Sequence, residues 1–203
     1  MNIDAIMRTS PVIPVLVIHD AAHARPIAEA LVEGGLRVLE ITLRTPAALD
    51  AVREMSKVDG AIVGAGTVLN EEHLRASIDA GSQFIVSPGL TEKLGAAAVQ
   101  SGIPFLPGVA NAGDIMRGLD LGLDRFKFFP AIASGGLPAL SALAGPFGNV
   151  RFCPTGGITT ENAPDWLAHK SILCVGGTWL VGSGEPDLGR IKALAAQAAA
   201  LRG

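Results

Sequence analysis

The sequence predicts an α/β protein, a (β/α)8 barrel of the TIM type built as a single domain over residues 1–203. Three observations carry this expectation. Short apolar runs alternate with helical patterns eight times along the chain, and the runs begin roughly every 20 to 26 residues, the spacing a parallel strand needs for its crossover helix. The glycine pairs sit after the last two runs, whereas a doubly wound open sheet would carry G-x-G-x-x-G after the first, where this chain has His19-Asp20-Ala21.

In chain order, residues 2–9 form a short helix closing the bottom of the barrel. The strand and helix pairs then run 12–18 with 22–33, 38–44 with 47–57, 61–68 with 71–80, and 84–89 with 92–100. The second half continues with 104–109 and 112–121, 125–131 and 137–143, 150–157 and 161–167, and 172–179 and 188–201. The alanine-rich end, from Lys192 to Gly203, reads as the terminal helix, with an apolar surplus expected to face a neighbouring subunit. At 203 residues the chain is shorter than the usual ~250 for this fold, so its loops are lean and no lid domain fits.

Composition narrows the partners. A net charge of -3 without blocks of like charge gives no footprint for nucleic acid. The apolar runs fall short of the roughly 18 residues a membrane helix needs, and the first ten residues, with Asp4 among them, lack a signal-peptide core. The expected location is cytoplasmic and the expected partners are small molecules or further copies of the chain. Cys153 and Cys174 lie in apolar strands without metal-ligand spacing and read as buried free thiols. His19, His23, His73 and His169 are scattered and read as surface residues, so no metal site is expected.

The chemistry starts at RFKFFPA, residues 125–131, where Lys127 stands among three phenylalanines. In a strand Lys127 points away from Phe126 and Phe128 and shares its side with Phe129. Taken alone such a lysine belongs on a wet edge, but inside a covered sheet burial disfavours the charged form of an amine and favours attack on a carbonyl. The second strand, VLEITLR, alternates Leu39, Ile41 and Leu43 with Glu40, Thr42 and Arg44. In a parallel barrel the aliphatic set faces the helices, so Glu40, Thr42 and Arg44 are expected inside. An aldol cleavage through an imine needs an amine, a proton shuttle and an anchor for a keto acid's carboxylate. Lys127, Glu40 and Arg44 match those three needs. Thr67, after Gly64 and Gly66 in the third strand, is either a hydroxyl at the catalytic rim, with the glycines leaving room for a ligand, or a cap for the next helix.

Gly156-Gly157 and Gly176-Gly177 end the seventh and eighth strands, where barrels frequently hold phosphate on backbone N–H groups, and Thr155 and Thr178 add hydroxyl donors.

Taken together, LEITLRT, GAGTVL, SPGLTE, FKFFPA, AGPFGNVRFCPTGGI and CVGGTWLV resemble the 2-keto-3-deoxy-6-phosphogluconate and 4-hydroxy-2-oxoglutarate aldolases over nearly the whole chain. That resemblance implies a metal-free, cofactor-free class I aldolase, commonly a homotrimer, acting on a phosphorylated keto acid to give pyruvate and glyceraldehyde 3-phosphate. It implies that Lys127 forms the Schiff base and Glu40 is the general acid/base. Arg44 and Thr67 would hold the pyruvate carboxylate end, Pro88 and Phe129 would line the pocket, and Gly156, Gly157, Gly176, Gly177 and Thr178 would take the phosphate. Thr178 stands where the family often has Ser, GVANAGD departs from a GIST-like segment, and Thr155 resembles the gluconate-type enzymes more than their galactonate-type relatives. The galactonate-epimer aldolase and a phosphosugar isomerase or epimerase are the alternatives; the isomerase would need the glycines but no inward lysine. A phosphometabolite-binding module without catalysis is a third reading.

Overall fold

A computed structural model describes residues 1–182 and 184–201. After α1 (Ile3–Thr9) the chain alternates strand and helix: β1 (Val12–Leu16), α2 (Ala24–Glu33), β2 (Val38–Thr42), α3 (Ala48–Met55), β3 (Ile62–Gly66), α4 (Glu71–Asp79), β4 (Phe84–Val86) and α5 (Glu92–Ser101). The fifth run is interrupted, giving β5 (Phe105–Leu106) and β6 (Gly108–Val109) on either side of Pro107, which has no N–H to give a ladder. Then come α6 (Ala112–Asp120), β7 (Arg125–Phe128), α7 (Gly136–Ala144), β8 (Arg151–Pro154), α8 (Ala163–Leu167), β9 (Val175–Gly177) and α9 (Leu188–Ala199). The expected alternation holds, with strands shorter than their apolar runs. Of the terminal stretch, Arg202 and Gly203 lie outside the described residues.

Local chemistry accounts for many of the boundaries. The side chains of Asn2, Asn70, Thr91, Asn111 and Asp187 accept backbone N–H bonds as N-caps of α1, α4, α5, α6 and α9. Gly102 ends α5 in the left-handed conformation, as a helix C-terminus favours.

All strand pairs are parallel, in a curled single-domain sheet system ordered β5-β4-β3-β2-β1-β9 and β6-β7-β8. Isolated parallel bridges join Phe152 to Ile172 and Thr155 to Gly176. Successive residues part to two sides, as the pleat requires. Val12, Leu16, Leu39, Ile41, Val63, Phe126, Phe128 and Phe152 join the larger core with the helices. Ile13, Val38, Ile62, Phe84, Val86, Leu106, Cys153 and Cys174 form a separate cluster on the inner face, which Ile6 and Met7 of α1 cover. Both cysteines are buried thiols.

One expectation is corrected at the C-terminus. The apolar side of α9 does not wait for a neighbour: Ile191, Ala195 and Ala198 are buried in the core of their own chain. Gly34, at the end of α2, permits this approach, because a Cβ there would stand 2.4 Å from Ala195 Cβ. Among the described residues no helix is long and apolar enough to cross a membrane.

Candidate active site

On β7, Phe126 and Phe128 turn to the helix layer and Lys127 to the inner face, as the alternation predicts. The Lys127 N–H bonds to the carbonyl of Pro107 and the Phe129 N–H to that of Val109, which ties the strand to β6 at this level. In register, Lys127 lies between Gly108 and Cys153. Its ammonium donates to both oxygens of Glu40, at 2.9 and 3.2 Å, and stands 5.6 Å from the centre of the Phe129 ring. The two side chains are 7% and 4% exposed. A pair so desolvated is held by mutual charge and hydrogen bonding, and removal of either partner strands the other.

Gly66 lets Glu40 reach across. A Cβ on Gly66 would come within 2.3 Å of Glu40 Oε1, and one on Gly64 within 2.5 Å of the Phe84 ring. The space at these two glycines is thus taken by the protein's own side chains, which corrects the expectation that it is left open for a ligand. Thr42 also turns to the expected face, where its hydroxyl donates to the Leu16 carbonyl at 2.9 Å.

Arg44 does not lie inside. β2 ends at Thr42, the chain turns with the Arg44 N–H on the Thr42 carbonyl, and the arginine side chain is exposed. The period-2 pattern runs two residues beyond the strand. Glu40 is paired with Lys127 rather than with Arg44, and no carboxylate of the described residues is within ion-pair distance of Arg44.

Thr67 is half-buried directly after β3, with φ of +59°, a left-handed conformation that is a genuine outlier for a β-branched residue. Its alternative reading as a helix cap is overturned, because Asn70 caps α4 through the His73 N–H at 2.8 Å. Pro88 and Phe129 are brought together in a cavity of about 390 Å³ shared with Leu69, Gly108 and Asp114.

At the ends of β8 and β9 the glycines serve two geometries. Gly156 and Gly157 have φ of +100° and +79°, which no side chain would adopt cheaply. Gly176 and Gly177 leave space that Thr155 and the Trp179 ring fill: a Cβ would meet them at 2.2 Å in each case. Thr155 is buried, and its hydroxyl has no hydrogen-bond partner among the described residues. Thr178 is exposed and lines a second cavity of about 460 Å³ with Val17, His19, His23 and Glu185. Beyond the glycines, the Thr159 hydroxyl beside Glu161 holds that carboxyl below the usual range. Asn162, which the sequence reading missed, donates to the Gly157 carbonyl at 3.0 Å.

Comparison with known proteins gives the family. The family model for KDPG and KHG aldolases matches residues 3–194. A 2-dehydro-3-deoxy-phosphogluconate aldolase of Zymomonas mobilis subsp. mobilis is 61% identical over 99% of this chain and 97% of its own. The crystal structure of the Zymomonas mobilis 2-keto-3-deoxy-6-phosphogluconate aldolase with 3-phosphoglycerate superimposes with a TM-score of 0.97 at 62% identity, covering 98% of this chain and 96% of the other. The KDPG aldolase of Legionella pneumophila, with pyruvate captured at low pH as a covalent carbinolamine intermediate, has a TM-score of 0.88 at 42% identity over 99% and 96% of the two chains. Nearly the full length is matched in each case, and the chain belongs to the KDPG and KHG aldolase family.

Proposed function

We propose that this chain is a class I aldolase that cleaves 2-keto-3-deoxy-6-phosphogluconate to pyruvate and glyceraldehyde 3-phosphate, and 4-hydroxy-2-oxoglutarate to pyruvate and glyoxylate. It is a carbon–carbon lyase, as its family is. The observation that carries the reading is the buried contact of Lys127 Nζ with both oxygens of Glu40. Transfer of a proton across that contact leaves a neutral amine. The amine adds to the C2 carbonyl of the keto acid, and loss of water gives a protonated imine. Glu40 then takes the proton of the C4 hydroxyl, the C3–C4 bond breaks, and its electron pair moves into the enamine while the aldehyde leaves. Protonation at C3 and hydrolysis of the imine return pyruvate and the amine.

The remaining assignments follow the same reading. Arg44, whose guanidinium has no carboxylate partner within ion-pair distance among the described residues, and Thr67, held in strain at the end of β3, take the substrate carboxylate. Pro88 and Phe129 line the pocket, the orphan hydroxyl of Thr155 meets a substrate hydroxyl, and Gly156, Gly157, Gly176, Gly177 and Thr178 take the phosphate. The two sheets close as one (β/α)8 barrel with α1 as its floor, a single domain over 1–203. The Thr155 to Gly176 bridge and the one-residue break at Pro107 support that closure. The assembly is a homotrimer, for which exposed Leu69, Met116 and Leu119 supply apolar surface, and the location is cytoplasmic.

The test is incubation with pyruvate and borohydride followed by peptide mass analysis. A single pyruvyl adduct on Lys127 is expected. No adduct, or one distributed over Lys57, Lys93, Lys170 and Lys192, would sink the mechanism in favour of an isomerase.

A further inference from the structure

The loop from Thr155 to Gly157 is held on all three of its carbonyls. The Thr155 and Gly156 carbonyls accept from the N–H groups of Ala131 and Ile132, at 2.8 and 3.1 Å. The third, on Gly157, accepts from the side-chain amide of Asn162 at 3.0 Å. Asn162 is fixed in turn by a reciprocal pair with Thr159: its Oδ1 accepts the Thr159 N–H at 2.9 Å, and its own N–H reaches the Thr159 hydroxyl at 3.4 Å.

This pattern has an electrostatic meaning. A peptide presents either its N–H or its carbonyl oxygen to a given side, and an anion is attracted by the first and repelled by the second. Gly156 and Gly157 both have positive φ and no side chain, so the peptide after Gly157 turns over at little steric cost. The Asn162 amide is the side-chain donor on that carbonyl.

We infer that Asn162 is a positioning residue for the phosphoryl end of the substrate, holding the Gly157 carbonyl on the protein so that the loop presents donors to the anion. It touches neither the keto acid nor the reacting atoms. The inference rests on the phosphate assignment to Gly156 and Gly157 and deepens it: discrimination between phosphorylated and unphosphorylated keto acids depends in part on one amide behind the loop.

The experiment compares steady-state kinetics on 2-keto-3-deoxy-6-phosphogluconate and on 4-hydroxy-2-oxoglutarate for Asn162→Ala and Asn162→Asp, with the pyruvate–borohydride trap as a check on the lysine. The aspartate variant keeps the acceptor for the Thr159 N–H and loses the donor to Gly157, so it tests the bond even where the alanine variant folds poorly. Expected is a rise of KM for the phosphorylated substrate by up to about 10-fold in both variants, the scale of one lost hydrogen bond. The KM for the unphosphorylated substrate and the trapping rate stay within about 2-fold on the same scale. Equal changes on both substrates would make Asn162 merely structural and overturn the inference, as would no change on either. Gly157→Ala separates the levels. If it raises the phosphorylated KM selectively while the Asn162 variants do not, the phosphate assignment stands and the inference falls. If none of the three has a selective effect, both fall.

Discussion

Two carboxylate–cation pairs stand two residues apart on β7. Arg125, at the start of the strand, is bound to Asp4 of α1 at 2.5 Å, and also donates to the carbonyls of Asp124 and Asn149 and meets the Asp124 carboxylate. Lys127 has, among the described residues, one carboxylate partner, Glu40, and is more deeply buried. The difference teaches what each cation is for. A guanidinium keeps its proton and spreads several donors over a corner of the fold, tying the first helix to a strand 121 residues away. An ammonium on a flexible stem is a single point charge that can give up a proton and become a nucleophile. On the proposed mechanism the same charge pairing is structural at one level and chemical at the next.

The comparison breaks most sharply at Lys127. Lys127→Arg keeps a cation against Glu40 but cannot form an imine, so turnover is expected to fall by a factor on the order of 10⁴ or more, with the melting temperature displaced by only a few degrees. Retained turnover would show that the upper pair is as structural as the lower one. A smaller effect is expected at Glu40. Glu40→Gln keeps the size of the side chain and should still trap pyruvate on Lys127, while cleavage slows by roughly 10² to 10⁴. Equal loss of trapping and cleavage would assign Glu40 to activation of the amine alone.

The smallest effect sharpens the lower pair. The Arg8 hydrogen bond, opposed by burial and reinforced by Arg125, lowers the Asp4 carboxyl from its ordinary 3.8. A carboxyl lowered in the folded state contributes stability above its unfolded value and loses it as pH falls through the folded one. Asp4→Asn should therefore cost up to about 1 kcal/mol near neutral pH, with turnover unchanged. Its urea-unfolding stability should also fall less steeply than the parent's below about pH 4.

The alternation of strand and helix was legible because each element carries its own period, and Lys127 was legible because phenylalanines on both sides fix which way it points. Arg44 was misplaced because alternation carries no mark of where cross-strand bonding stops; Pro46, just beyond, was the signal for a turn. Thr67 invited two readings, and the presence of Asn70 one turn closer to α4 decides between them. Asp4–Arg125 and Gly66–Glu40 were not legible at all, since each depends on which strand or helix lies beside which. A glycine in a strand says that something comes close, never what.

The inner wall of the sheet is consequently defined by pairs of positions rather than by single ones. Phe84 occupies the space at Gly64, Glu40 that at Gly66 and Thr155 that at Gly176. Among related sequences, an alanine at position 64 should arrive together with a smaller residue at 84, and one at 176 with a trimmed 155. Gly66 has no such freedom, because its partner is the carboxylate itself. The position least able to drift on β3 is therefore one with no functional group, and a redesign of the pocket should leave it untouched.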